Sequence, residues 1–202
     1  FAFVIRKFHY RVTEVKFPNY ESESSALVKM YLKGDFGDRP GDVSPYVAST
    51  FYAVDRYASY KKEWESFYRD GGIVLADRYT TSNMVHQASK IADEQERVKF
   101  LDWLRDFEFR LFGLPEPDCV LFLDMPTEYA VRLIENRNNK ITGKAEKDIH
   151  EKDHAYLEQV YRVSLRLAER YGWHRVSCVK EGNIRPVDDI HREICDIVRG
   201  YL

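Results

Sequence analysis

Two short, wholly apolar runs constrain this chain more than any other feature: Ile73-Val-Leu-Ala76 and Cys119-Val-Leu-Phe-Leu123. Neither alternates with polar residues, so each reads as a strand covered on both faces, as in parallel sheets. Gly71-Gly72 and Asp77-Arg78 bound the first; Pro117-Asp118 and Asp124-Met125-Pro126 bound the second. Helical periodicity fills the stretch between them, and strands alternating with helices build βαβ units. The expected fold class is α/β, a parallel sheet with helices on both faces in three layers. Ligands of such sheets lie outside the carboxyl ends of the strands, so the residues just after each strand are the first functional candidates.

The rest of the chain fits that frame. Phe1, Val4, Ile5 and Phe8 recur at helical spacing, as the tail of a helix. Val12–Phe17 alternates and reads as a strand stopped by Pro18. A short helix is expected near Ser25–Leu32. Ser44-Pro45 pairs a capping residue with a favoured first helical residue, opening a helix to about Arg69. A helical stretch runs from about Thr81 to Phe112, broken near Asp93. Thr127 caps a helix to about Arg137, and a polar stretch, Asn138–Lys147, follows. An apolar helical face runs from Ile149 to Tyr171, Arg175–Val179 reads as a strand, and Pro186 opens the last helix. At 202 residues the chain is expected to form one domain, 1–202, with a mobile lid around 137–150.

Charge and cysteine usage narrow the function classes. Lys and Arg number 31 against 33 Asp and Glu, a balance that excludes a nucleic-acid binder held by bulk positive charge. No apolar run approaches the roughly 18 residues of a membrane span. Cys119, Cys178 and Cys195 are too widely spaced for a disulfide framework or a CxxC site, so a reducing cytoplasm is expected.

Four constellations carry chemistry, and each also has a plain structural reading. Asp77-Arg78-Tyr79 puts an acid and a guanidinium at a strand end, where the Arg matches phosphate oxygens and the Asp orients it or a magnesium-bound water. The plain reading is a surface ion pair. Ser82, Asn83 and Gln87 follow at a helix start, and the Asn and Gln amides offer the donors and acceptors that a pyrimidine edge requires; simple capping is the alternative. Tyr52 and Arg56 are four apart on one helical face, suited to stacking on a base and holding a phosphate, or equally to core packing. His150-Glu151-Lys-Asp-His154 matches H-E-x-x-H, but no third ligand stands at a fitting position among Glu169, His174 and Glu181. The phosphate-binding loop G-x-x-x-x-G-K-[ST] is absent: Gly143-Lys144 is followed by Ala145. The loop and the strand leading into it are expected ahead of Phe1 in the natural protein.

Taken in order, these residues resemble the thymidylate kinase family of P-loop nucleoside monophosphate kinases. The resemblance rests on Phe17-Pro18, the aromatic-x-x-x-Arg pair Tyr52 and Arg56, Asp77-Arg78-Tyr79 with Ser82, Asn83 and Gln87, and Pro117-Asp118 leading to Asp124. It implies ATP-dependent phosphorylation of dTMP to dTDP with Mg²⁺, by a homodimer. It further implies that Phe17, Pro18 and Ser82 border the dTMP site, Tyr52 stacks on thymine, and Asn83 and Gln87 lie at the base edge. Arg56 and Arg78 would hold the dTMP phosphate, and Asp77 would order the site and its metal. Arg132, Arg137 and Lys144 would serve ATP from the lid, Arg137 also in catalysis. Two departures stand out: Tyr20 occupies a place where many members carry arginine, and Arg132 and Arg137, five apart, do not share a helical face. The rival functions are a deoxynucleoside kinase, a nucleotide-binding module without turnover, and a zinc hydrolase through His150 and His154.

Overall fold

The computed structural model describes residues 10–135, 149–150 and 153–202. Two parallel strand pairs form its frame. Strands β1 (Val12–Lys16) and β2 (Ile73–Asp77) pair with Val12 opposite Ile73 and Lys16 opposite Asp77. Strands β3 (Leu121–Asp124) and β4 (His174–Ser177) pair with Asp124 opposite Ser177. A small antiparallel hairpin, β5 (Val179–Lys180) with β6 (Asn183–Ile184), follows.

The apolar runs are strands as expected, but they are not covered on both sides. Leu123 is 51% exposed, and most of β2 is only half-buried. The cause is a cavity of about 1220 Å³ running between the pairs, lined by all of β2 and by Leu121–Leu123 of β3. Among the described residues neither β2 nor β3 has a second ladder partner.

Local chemistry places the helices. Helix α1 (Ala26–Lys33) ends at Gly34, whose φ of 91° suits glycine and lets its N–H close on the last carbonyls. Helix α2 (Pro45–Ser59) starts where Ser44 Oγ accepts the Val47 N–H at 3.2 Å. It continues through a π-helical turn, Tyr60–Trp64, and a short helix, Glu65–Arg69, to Gly71 at φ 77°. The stretch after β2 is two helices, α3 (Thr80–Ala88) and α4 (Glu94–Arg105). Asp93 makes the break by accepting the Glu96 N–H at 2.9 Å. A second π-helical turn, Asp106–Leu111, ends α4. Helices α5 (Thr127–Glu135), α6 (His154–Arg170) and α7 (Val187–Val198) complete the order. The expected helix tail at Phe1–Phe8 and the helix end at Arg137 lie outside the described residues.

The core fixes α3 against the strand ends. Met84 and Ala88 of α3 pack with Phe100, Leu101 and Leu104 of α4 and Val163 and Leu167 of α6. Each such large side chain contributes about 1.5–3 kcal/mol on burial. Beside it, Phe17, Tyr60, Trp64, Tyr79 and Leu114 pack beyond the ends of β1 and β2. α3 is thus clamped with its N-terminus directly after β2.

Candidate functional site

The site begins where β2 ends. Asp77 closes the strand, and the chain turns at Arg78 with φ 67°, a left-handed conformation that costs a non-glycine residue roughly 1–2 kcal/mol. Such outliers gather at functional positions. Tyr79 holds the turn in place: its ring lies 5.9 Å from Phe17 and its hydroxyl donates to Pro115 O at 3.0 Å. Burial pushes its phenol far above the ordinary range. The Arg78 side chain lies along α3, with Nε donating to Ser82 Oγ at 3.3 Å and Nη2 lying 2.7 Å from His86 Nε2. Arginine has no acceptor, so His86 Nε2 must be the acceptor in that contact. Asp77 faces Lys16 at 3.5 Å; both side chains are largely exposed, so this pair contributes little to stability.

A second group lies on the facing sides of α2 and α3. Tyr52 is half-buried, with its ring edge-on to Tyr31 at 6.4 Å. Asn83 Nδ2 donates to Ser49 O at 3.2 Å and to Glu108 Oε1 at 3.1 Å. Gln87 is fully buried, yet neither amide atom has a hydrogen-bond partner among the described residues, and Ser49 Oγ has none either. Unmet buried amide groups cost free energy unless something supplies partners, and a ligand edge carrying donors and acceptors is one way to do so.

Arg56 differs from its sequence expectation. A phosphate clamp must present its fork to solvent, but this guanidinium is 2% exposed. Its Nε donates to Glu108 Oε2 at 2.7 Å and its Nη2 to Glu108 Oε1 at 2.6 Å. Arg56 and Arg78 therefore have separate surroundings. Sequence reasoning passed over Glu108, although a signal existed. It stands in register with Leu101 and Leu104 on the apolar stripe of the helix, and a buried acid requires a partner.

A third group was also missed. His86 stacks on His150 at 5.6 Å with 16° between the rings. His150 Nε2 lies 2.9 Å from Tyr31 Oη, and Lys90 Nζ donates to Tyr31 Oη at 2.9 Å and to Val43 O at 3.1 Å. Tyr156 Oη donates to His86 O at 2.9 Å. Burial, then the charges of Arg78, His150 and Lys90, hold His86 well below its ordinary range. Burial, then Lys90 and Arg78, lowers His150 to about 3, and burial lowers Lys90 to about 7.

The His150 shift fixes the sign of a pH effect. Between pH 6.5 and about 3 the unfolded chain binds a proton at His150 that the folded chain refuses. That contribution to stability is complete above pH 6.5 and is lost as pH falls toward 3. His150→Gln is expected to flatten this part of the stability curve by up to about 1.4 kcal/mol per pH unit. Urea midpoints measured between about pH 4 and pH 7 check it; an unchanged slope contradicts it.

The structure does not favour the zinc reading. His150 is buried against Tyr31 while His154 is exposed at the start of α6, so the two do not share a face. Among the described residues no group of three His, Cys, Asp or Glu is arranged to hold a metal ion, and Glu151 lies outside them. Of the expected lid residues, Arg132 lies 5.6 Å over the Tyr129 ring; Arg137 and Lys144 lie outside the described residues. No described helix is long and apolar enough to cross a membrane.

The chain matches the family model of thymidylate kinase over residues 2–194. It is 29% identical over 163 residues to a thymidylate kinase of Mycobacterium tuberculosis, a match spanning 80% of this chain and 73% of that one. It is 27% identical over 162 residues to a probable thymidylate kinase of Pyrobaculum aerophilum, spanning 80% and 72% of the two chains. A probable thymidylate kinase 1 of Saccharolobus solfataricus is 26% identical over 163 residues, spanning 81% and 72%.

Proposed function

The chain belongs to the thymidylate kinase family, and from that footing we infer that it phosphorylates dTMP to dTDP with ATP as donor. The observation that carries the reading into this molecule is the Asp77-Arg78 turn. A strained arginine at a strand end leads straight into a helix whose Asn83 meets α2 at Ser49 O, with the unpartnered Gln87 amide one turn further on. In this reading Arg78 holds the dTMP phosphate, with Ser82 beside it. Tyr52 stacks on thymine, Asn83 and Gln87 meet the base edge, and Phe17 and Pro18 border the site. Arg56 serves the site as part of the buried floor that it builds with Glu108 and Asn83.

In the reaction a dTMP phosphate oxygen attacks the γ-phosphorus of ATP, and ADP leaves. Little covalent chemistry falls to the protein; it aligns the two phosphates and neutralises the oxygens between them. Asp77 fits a magnesium ion, because magnesium takes one or two carboxylates and fills the remaining positions with water and substrate phosphates. Its carboxylate is 63% exposed at the strand end, facing Lys16 at 3.5 Å. A bound magnesium would screen the donor phosphates. The donor loop has no counterpart in this sequence. Among the described residues β2 and β3 each line the cavity between the strand pairs without a second ladder partner, and the reading takes both pairs as parts of one sheet covered by helices on both faces. Arg132, with Arg137 and Lys144, is assigned to the ATP side.

Tyr46, Val47, Val54 and Tyr57 expose an apolar side of α2, and the reading takes it as the seat of a second copy, a homodimer that sedimentation tests. The three cysteines are free thiols, which fits a reducing, cytoplasmic setting.

The test is steady-state kinetics of the full-length natural chain with dTMP and ATP. Tyr52→Ala is expected to raise KM for dTMP by about 10-fold or more with a smaller change in kcat, as loss of a stacking contact does. An unchanged KM excludes the stacking role, and absence of dTDP formation by the unmodified protein overturns the kinase reading.

A further inference from the structure

We propose that His86 is the positioning residue of the acceptor-phosphate site: its neutral Nε2 takes a hydrogen bond from Arg78 and so sets the direction of the guanidinium fork. The inference rests on Arg78 being the phosphate clamp and adds what aims it. An exposed arginine has much side-chain rotamer freedom to lose before it presents one geometry. Here two fixed acceptors on one helix remove that freedom, Ser82 Oγ at Nε and His86 Nε2 at Nη2. Arginine carries five N–H donors, so three stay available to a phosphate.

His86 is itself held, which separates an aiming device from a chance contact. Its ring is stacked on His150, and its backbone carbonyl takes the Tyr156 hydroxyl. The groups around it are Arg78 from the strand end, Lys90 from its own helix, His150 from the segment before α6, and Tyr156 from α6. Arg78 and Lys90 are the basic groups of this set that bring positive charge toward the ring, so a second proton on the imidazole is opposed from both sides. The downward shift of His86 agrees with a ring kept neutral and accepting. Packing alone demands only an aromatic of similar size; aiming Arg78 demands a lone pair at that point.

The experiment separates these demands. Calorimetry measures dTMP and thymidine binding to the full-length chain and to His86→Phe, His86→Gln, Arg78→Ala and the double variant His86→Phe/Arg78→Ala. The ratio of the two affinities reads the phosphate contact alone. His86→Phe is expected to cut that ratio by about 10-fold while thymidine affinity stays within about 3-fold. His86→Gln, whose amide oxygen accepts, keeps the ratio within about 3-fold of the unmodified protein. In the double variant the Phe change brings no further loss beyond Arg78→Ala, because the two side chains act as one unit. The proposal is overturned if His86→Phe keeps the ratio, if Phe and Gln lose it equally, or if thymidine and dTMP affinities fall together. Should Arg78→Ala keep the ratio, the clamp reading itself fails and carries this inference down with it. If His86→Phe unfolds the chain, His86→Met makes the same comparison without an aromatic ring or a strong acceptor.

Discussion

Arg78→Ala lowers kcat by at least about 100-fold, with a smaller rise in KM for dTMP, and leaves the fold intact. The size follows from where the contact acts. Negative charge on the oxygens between acceptor and donor is greatest in the transition state, so a fork placed there stabilises that state more than the bound substrate. Arg78→Lys is expected to restore little, because an ammonium lacks the planar fork. The backbone adds a signature that a mere surface charge would not give. Arg78 sits at φ 67°, so Arg78→Gly relieves strain of roughly 1–2 kcal/mol. That variant should melt a few degrees higher than the parent, by the usual scaling of about 2–4 °C per kcal/mol, while turning over no better than the alanine variant. A kcat within about 3-fold of the parent in Arg78→Ala removes the arginine from the chemistry.

Glu108→Leu lowers stability by about 3–5 kcal/mol, the second large effect. The change strands a guanidinium that is 2% exposed and leaves the Asn83 amide with Ser49 O as its one remaining acceptor among the described residues. In a chain of this length such a loss corresponds to roughly a 10 °C fall in Tm. Making both sides apolar, as in Arg56→Met with Glu108→Leu, is expected to recover most of it, because desolvating two charges is itself costly. Thermal denaturation of the three proteins decides the matter. A single variant that melts within about 2 °C of the parent contradicts the buried pair as an element of the fold.

What the sequence disclosed and what it hid divide along physical lines. Local signals were legible: Ser44 caps the helix that Pro45 opens, and the helical stretch after β2 breaks at Asp93. The strand after Gly71-Gly72 was legible too, because four apolar residues between turn signals leave few other options. Asp77-Arg78 could be singled out because it follows that strand. Partnerships across long separations were not legible. Arg56 meets Glu108 across 52 positions, and Tyr31 meets His150 across 119. No periodicity encodes which buried acid answers which buried base. The π-helical turns were equally invisible, since they change helical pitch without changing composition.

The cavity between the two strand pairs has a consequence for handling the protein. Among the described residues, backbone amides and carbonyls along the cavity-side edges of β2 and β3 have no ladder partner, and such an edge recruits any extended peptide that reaches it. Edges of that kind would make a preparation adhesive at high concentration, cross-linking neighbours by borrowed hydrogen bonds.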